Sequence, residues 1–140
     1  MQSQLIQLQK KGDERGNLIV LENTKEIPFE VKRLYYIFDT KADVRRGFHA
    51  HYKLHQMAMC LRGSCVYLMD DGHHVEFISL NDNHTGLFIP PLVWHEMFDF
   101  SEDCVLLVLA DDYYDENDYI RNYQKFISII NGLEDENTAE

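Results

Sequence analysis

Cys65-Val66-Tyr67-Leu68-Met69-Asp70-Asp71-Gly72-His73-His74-Val75-Glu76-Phe77-Ile78-Ser79-Leu80 is the stretch that decides the fold class. Two runs rich in β-branched, aromatic and other apolar residues flank Asp71-Gly72, a pair suited to the tight turn of a β-hairpin. Runs of the same kind recur outward along the chain at Leu18–Leu21, Val31–Phe38, Gln56–Leu61, Gly86–Ile89 and Cys104–Ala110. Turn signals separate them: Gly12-Asp13-Glu14-Arg15-Gly16, Asn81-Asp82-Asn83, Pro90-Pro91 and Ser101-Glu102-Asp103. Many short strands at this spacing predict an all-β sandwich or barrel. Val105–Ala110 is apolar throughout, as in a strand covered on both faces. The period changes near Asp115: Ile120, Tyr123, Phe126, Ile127 and Ile130 fall at helical spacing, with Asp115, Glu116 and Asp118 before them and Asn131-Gly132 after. One α-helix over 115–131 is therefore expected, and the acidic tail 133–140 reads as frayed.

A length of 140 residues fits a single domain spanning 1–140. Hydrophobic residues at 45% and charged ones at 26% exclude a disordered chain. With 24 acidic against 13 basic side chains the net charge is −11. That argues against a nucleic-acid surface, which needs clustered cations, and an anionic ligand would require a local basic pocket. No apolar run approaches the ~20 residues of a membrane span, and the opening residues lack the apolar core of a signal peptide. The cysteines Cys60, Cys65 and Cys104 are odd in number, lack CxxC spacing and sit in apolar runs. They read as buried free thiols of a cytoplasmic protein.

The chemistry concentrates in histidines. His49 and His51 lie in Arg46-Gly47-Phe48-His49-Ala50-His51, and in an extended strand both rings leave the same face, about 6–7 Å apart at the backbone. His95 follows in Trp94-His95-Glu96-Met97. Three imidazoles presented into a small barrel would titrate near neutrality. His55, His73, His74 and His84 read as solvated or hydrogen-bonded residues.

The order His49-x-His51-x4-Gln56-x6-Gly63, then Pro90-x4-His95-x3-Asp99, resembles the two signature motifs of cupins, which are double-stranded β-helix (jelly-roll) proteins. Metal-binding cupins carry Glu where this chain has Gln56, Gly where it has Leu92, and Asn near Asp99. A neutral amide is a poor ligand for a divalent cation, although three imidazoles alone can hold zinc. A closer resemblance runs from Asp13 to Arg121. Gly12-Asp13-x-Arg15-Gly16-Asn17-Leu18, Lys32-Arg33-x-Tyr35-Tyr36-Ile37-Phe38, the His-x-His block, Trp94-His95-Glu96-Met97 and Ala110-Asp111-Asp112-Tyr113-Tyr114-Asp115 are similar, in this order, to the dTDP-4-keto-6-deoxyglucose 3,4-ketoisomerases, the WxcM-like cupins. The resemblance implies no metal and no cofactor, and a dTDP-linked keto-deoxyhexose as substrate. It also implies a homodimer whose N-terminal strands, within 1–22, swap between subunits. The product is aminated toward lipopolysaccharide O-antigen, S-layer or antibiotic sugars.

Moving a carbonyl from C4 to C3 removes the C3 proton, passes through an enediol(ate) and returns a proton to C4. Imidazole suits both roles at neutral pH, so His49 and His51 are the expected acid–base pair, with the division between carbon and oxygen open. Tyr35 alternates with Arg33 and Ile37 on one face of its run, opposite Leu34, Tyr36 and Phe38, which read as packing. Tyr35 would then steady a sugar oxygen. Arg33, Arg46 and Arg15 are the expected pyrophosphate ligands, Arg46 first, with Arg15 reaching across a swapped dimer; Arg45 and Arg121 read equally as surface residues. Arg15 and His95 resemble the branch that delivers the galacto product. Three alternatives stay open at this point: a nucleotide-sugar 3,5-epimerase, a metal-dependent cupin and a non-catalytic sugar-binding cupin.

Overall fold

The computed structural model describes residues 4–132, so the tail expectation for 133–140 lies outside the described residues. The strands are β1 (Leu5–Gln7), β2 (Lys11–Asp13), β3 (Gly16–Leu18), β4 (Arg33–Ile37), β5 (Arg46–His51) and β6 (Gln56–Arg62), followed by β7 (Cys65–Asp70), β8 (Val75–Leu80), β9 (Thr85–Ile89), β10 (Trp94–Phe98), β11 (Val105–Ala110) and β12 (Tyr119–Ile120). Two five-stranded sheets form, in the orders β1-β9-β6-β11-β4 and β12-β5-β10-β7-β8, and β2 and β3 make a separate hairpin. The predicted hairpin is β7–β8, in register from Cys65↔Leu80 to Asp70↔Val75. Its Gly72 takes φ +93°, a conformation costly for other residues.

Alternation places the core between the sheets. Ile37, Ala58, Leu106 and Val108 of the first sheet meet Tyr67 and Met97 of the second. The first sheet is also covered outside, where Leu8, Ile27 and Phe29 pack on Met57, Met59 and Leu109. That second cover explains why β6 and β11 are apolar at successive positions instead of alternating. The cover stops short of the edge strand β4. Leu34, Tyr36 and Phe38 were expected to pack, yet they stand 53%, 58% and 57% exposed in the single chain. Tyr35 and Ile37 take the inward face.

The C-terminal element departs from expectation. The helix is α1 (Tyr123–Ile130), shorter than 115–131. Glu116–Asp118 forms a 3-10 turn capped by Asp115, and Tyr119–Ile120 pairs with β5 as a strand. The cause is Asp118, whose carboxylate receives the backbone N–H groups of Lys53 and Leu54 at 3.0 and 3.3 Å, a tether a continuous helix would break. Asn122 then caps α1 by accepting from the Lys125 N–H at 2.9 Å.

Helix α1 seals the outer face of the second sheet by packing Phe126, which is fully buried, against Trp94, Ala50 and Ile120. Truncation there leaves a cavity that the rigid sheet cannot close. Phe126→Ala is expected to remove about 3–5 kcal/mol of stability, read from the urea unfolding midpoint. A loss below about 1 kcal/mol would mean that the helix contributes little to the fold.

Candidate active site

The site begins with an irregularity in β5. Its ladder with β10 passes from His95↔His49 to Glu96↔Gly47, leaving Phe48 as an extra residue in a β-bulge. Gly47 at φ +95° and Phe48 at φ +59° make the bend. A Cβ on Gly47 would lie 2.8 Å from the His95 carbonyl oxygen, so only glycine lets the strands approach this closely. Beyond the bulge, alternation resumes and turns His49 and His51 to one face, where the neighbouring strand presents His95.

The three rings meet. Their centroids lie 5.0 Å apart for His49–His51, 4.6 Å for His49–His95 and 6.2 Å for His51–His95. Each Nδ1 faces an acceptor: Gly47 O at 3.0 Å from His49, Val93 O at 3.1 Å from His95, and Asp118 Oδ2 at 3.2 Å from His51. A ring that donates Nδ1–H keeps Nε2 unprotonated, ready to accept a proton.

Burial decides the charge state. His51 is pushed down to about 2 by burial first, then by the neighbouring His95 and His49 and by the positive charges of Arg33 and Arg121. His95 falls to about 3, chiefly by burial and then by His49. Burial also lowers His49 and raises the Asp118 carboxyl. All three imidazoles are therefore neutral bases at pH 7. The Tyr35 phenol, pushed up to about 12 mainly by burial, stays a donor. It donates to Gln56 Oε1 at 3.2 Å, while the buried Gln56 Nε2 has no protein partner.

Two cavities flank the triad. One, of about 500 Å³, is lined by Arg33, Tyr35, Arg46, His49, Tyr119 and Arg121 among others. The other, of about 360 Å³, is lined by Arg33, Lys53 and His51 with Asp111, Asp112, Asp115 and Asp118. Four carboxylates repel an anionic ligand, so an anion belongs in the first, which carries three guanidinium groups. Arg121 lies 4.2 Å over the Tyr119 ring and donates to Glu116 at 2.7 Å.

The structure thus brings His49, His51, His95, Tyr35, Arg33 and Arg46 together. It does not bring Arg15, whose side chain is 86% exposed in the β2–β3 turn and pairs with Asp13 at 2.7 Å. Arg45 is also held elsewhere, bonded to Glu96 at 2.7 Å over the Phe98 ring. Sequence reasoning passed over Asp118 and Tyr119, which lay inside the expected helix. Tyr119 stands 4.3 Å from the His51 ring and 4.9 Å from the His49 ring. One ring nitrogen from each of His49, His51 and His95 lies within 4.8 Å of the other two, a spacing that can hold a metal ion. Against such a site, the place of a cupin carboxylate ligand is taken by the Gln56 amide, which is engaged with Tyr35.

The profile of the family described as "FdtA: WxcM-like, C-terminal" matches residues 1–131. A curated relative, the TDP-4-oxo-6-deoxy-alpha-D-glucose-3,4-oxoisomerase of Aneurinibacillus thermoaerophilus, is 53% identical over 134 residues, covering 94% of this chain and 96% of that protein. Among solved structures, a 3,4-ketoisomerase from Helicobacter canadensis superposes with a TM-score of 0.91 at 49% identity, covering 94% of this chain and 98% of its own. A variant of the 3,4-ketoisomerase QdtA from Thermoanaerobacterium thermosaccharolyticum, solved in complex with TDP-4-keto-6-deoxyglucose, gives 0.90 at 47% identity, covering 93% and 94%.

Proposed function

The chain belongs to the FdtA (WxcM-like, C-terminal) family, and from that premise we propose that it is a sugar nucleotide 3,4-ketoisomerase acting on dTDP-4-keto-6-deoxyglucose. The observation that carries this reading is the pair His49 and His51, two neutral imidazoles on one strand face beside an arginine-lined cavity. A neutral imidazole removes the C3 proton, and the resulting imidazolium or its neighbour supplies the proton that C4 gains. The O3 hydroxyl proton passes to O4 through the pair, so that O3 becomes the carbonyl oxygen and O4 the hydroxyl. Arg33, Arg46 and Arg121 supply the positive field for the pyrophosphate and for the enediolate. Tyr35 turns its hydroxyl from Gln56 to a sugar oxygen. No redox partner is required, because the two carbons exchange oxidation level internally.

The product is the 3-keto-6-deoxygalactose nucleotide, with His95 beside His49 governing the face of the enediolate that is reprotonated, and it passes to a 3-aminotransferase for an O-antigen-type sugar. The protein works as a homodimer with swapped N-terminal strands, because Arg15 is remote from the site of its own chain and Arg15 of the partner subunit would complete it. Three free buried thiols suit a reducing cytoplasm.

The test incubates the protein with dTDP-4-keto-6-deoxyglucose in heavy water, with and without chelator, and follows the sugar by NMR before and after a 3-aminotransferase is added. We expect the carbonyl at C3, an axial O4 and undiminished turnover under chelation. Deuterium at C5 with the ketone still at C4 would make the protein an epimerase. Binding without turnover would make it a sugar-binding cupin, and chelator-killed activity would make it a metalloenzyme.

A further inference from the structure

Cys60, Cys65 and Cys104 are 0–1% exposed and come from three different places: near the end of β6, the start of β7 and the turn before β11. Their sulfurs nevertheless converge. All three Sγ atoms lie within 4.8 Å of one another, and Cys60 and Cys104 are 3.7 Å apart. Gln56, at the site end of β6, precedes Cys60 by four residues, so the thiols lie about 13 Å along the strand from it. They are a separate cluster from the histidine triad.

We propose that this triad is a binding site for a thiophilic d10 cation of the copper(I), zinc or cadmium class, held by three sulfurs. A metal–thiolate bond is about 2.3 Å long, and three such bonds in a plane place the sulfurs about 4.0 Å apart. The observed spacing meets that value with shifts of tenths of an ångström. Soft thiolates select this class of ion over the hard cations that carboxylates prefer. On binding, three S–H bonds give way to three S–metal bonds and the protons pass to buffer.

Two turns close this end of the barrel over the thiols, and they are joined to each other. Ser64 N–H donates to Ser101 Oγ at 2.9 Å, and Ser101 N–H donates to Ser64 O at 2.9 Å. Gly63 sits in the first turn at φ +71°, where an added Cβ would lie 2.9 Å from Cys104 Cα. Separation of the two turns is the route in. Because β6 belongs to one sheet and β7 to the other, a bound ion ties the two sheets together, so the folded state gains stability from it.

Cd(II) is the probe for the full-length, reduced, metal-free protein. One equivalent is expected to saturate a thiolate-to-cadmium charge-transfer absorption and to raise the thermal unfolding midpoint. Cys60→Ala and Cys104→Ala should each abolish the absorption, and His95→Asn, which alters the imidazole cluster, should keep it. The proposal is overturned if no charge-transfer band appears, if the band survives in either Cys60→Ala or Cys104→Ala, or if it appears only with a lowered midpoint, which marks capture by unfolded chain. Should one alanine variant fail to fold, the other decides.

Discussion

Replacing either strand histidine by asparagine should reduce turnover by about 10²–10⁴-fold, the usual contribution of a positioned acid or base. His49→Asn and His51→Asn both remove the proton acceptor and keep a polar group at the position. The two rings lie 5.0 Å apart and share one reaction coordinate, so their effects should not multiply. The double variant should be close to the poorer single one, as for residues that act as a unit. Nucleotide-sugar affinity should change far less than turnover, because the arginines of the cavity remain. Two controls separate catalysis from folding: the far-ultraviolet spectrum and the unfolding midpoint of each variant. His51 needs them most, since it is 3% exposed and its Nδ1 faces Asp118. Near-normal turnover in both single variants would remove the pair from the mechanism.

What the sequence made legible follows from range. The β7–β8 hairpin is a local event, coded by two apolar runs and Asp71-Gly72. The same-face projection of His49 and His51 follows from strand alternation alone. Pairings such as β1–β9 and β6–β11 join distant segments and leave no local mark. The bulge at Gly47-Phe48 shows the same limit: glycine signals freedom, but the close approach of the His95 carbonyl explains its use. Helical spacing misled between Asp115 and Arg121, because Ile120 obeys both periods. Asp118 is fixed there by His51, 67 positions away, as well as by Lys53 and Leu54. Tertiary hydrogen bonds overrode periodicity there, and the cost was missing both Asp118 and Tyr119. Arg15 marks a further boundary. Its residue type and motif pointed to the site, whereas its exposed place in the β2–β3 turn requires a second subunit to make that reading true.

Acid should weaken this fold steeply, from a pH where most carboxylates are still ionised. His51 and His95 are held down to about 2 and about 3, against an ordinary value of 6.5, chiefly by burial and then by neighbouring imidazoles, His95 and His49 for His51 and His49 for His95. Above about pH 6.5 the rings are neutral in both folded and unfolded chains. Below it the unfolded chain binds protons that the folded cluster refuses, so stability is present above that pH and is lost as pH falls. Each refused proton costs about 1.4 kcal/mol per pH unit, so two rings between pH 6.5 and 5 cost about 4 kcal/mol. That is a large share of a typical 5–15 kcal/mol. Burial raises the Asp118 carboxyl, an opposing shift that offsets part of the loss where that group takes up its proton. The measurement is the urea midpoint at pH 7.5 and 5.0, for the parent and for His95→Gln. We expect a clear drop in the parent and a smaller one in the variant; equal midpoints at the two pH values, or equal drops in the two proteins, would dismiss the neutral-triad account. The same shifts set the acid limb of catalysis. Rings that stay neutral below their ordinary pKa keep their base form, though each takes a proton less readily than free imidazole, so turnover should fall where the protein unfolds and not where free imidazole titrates.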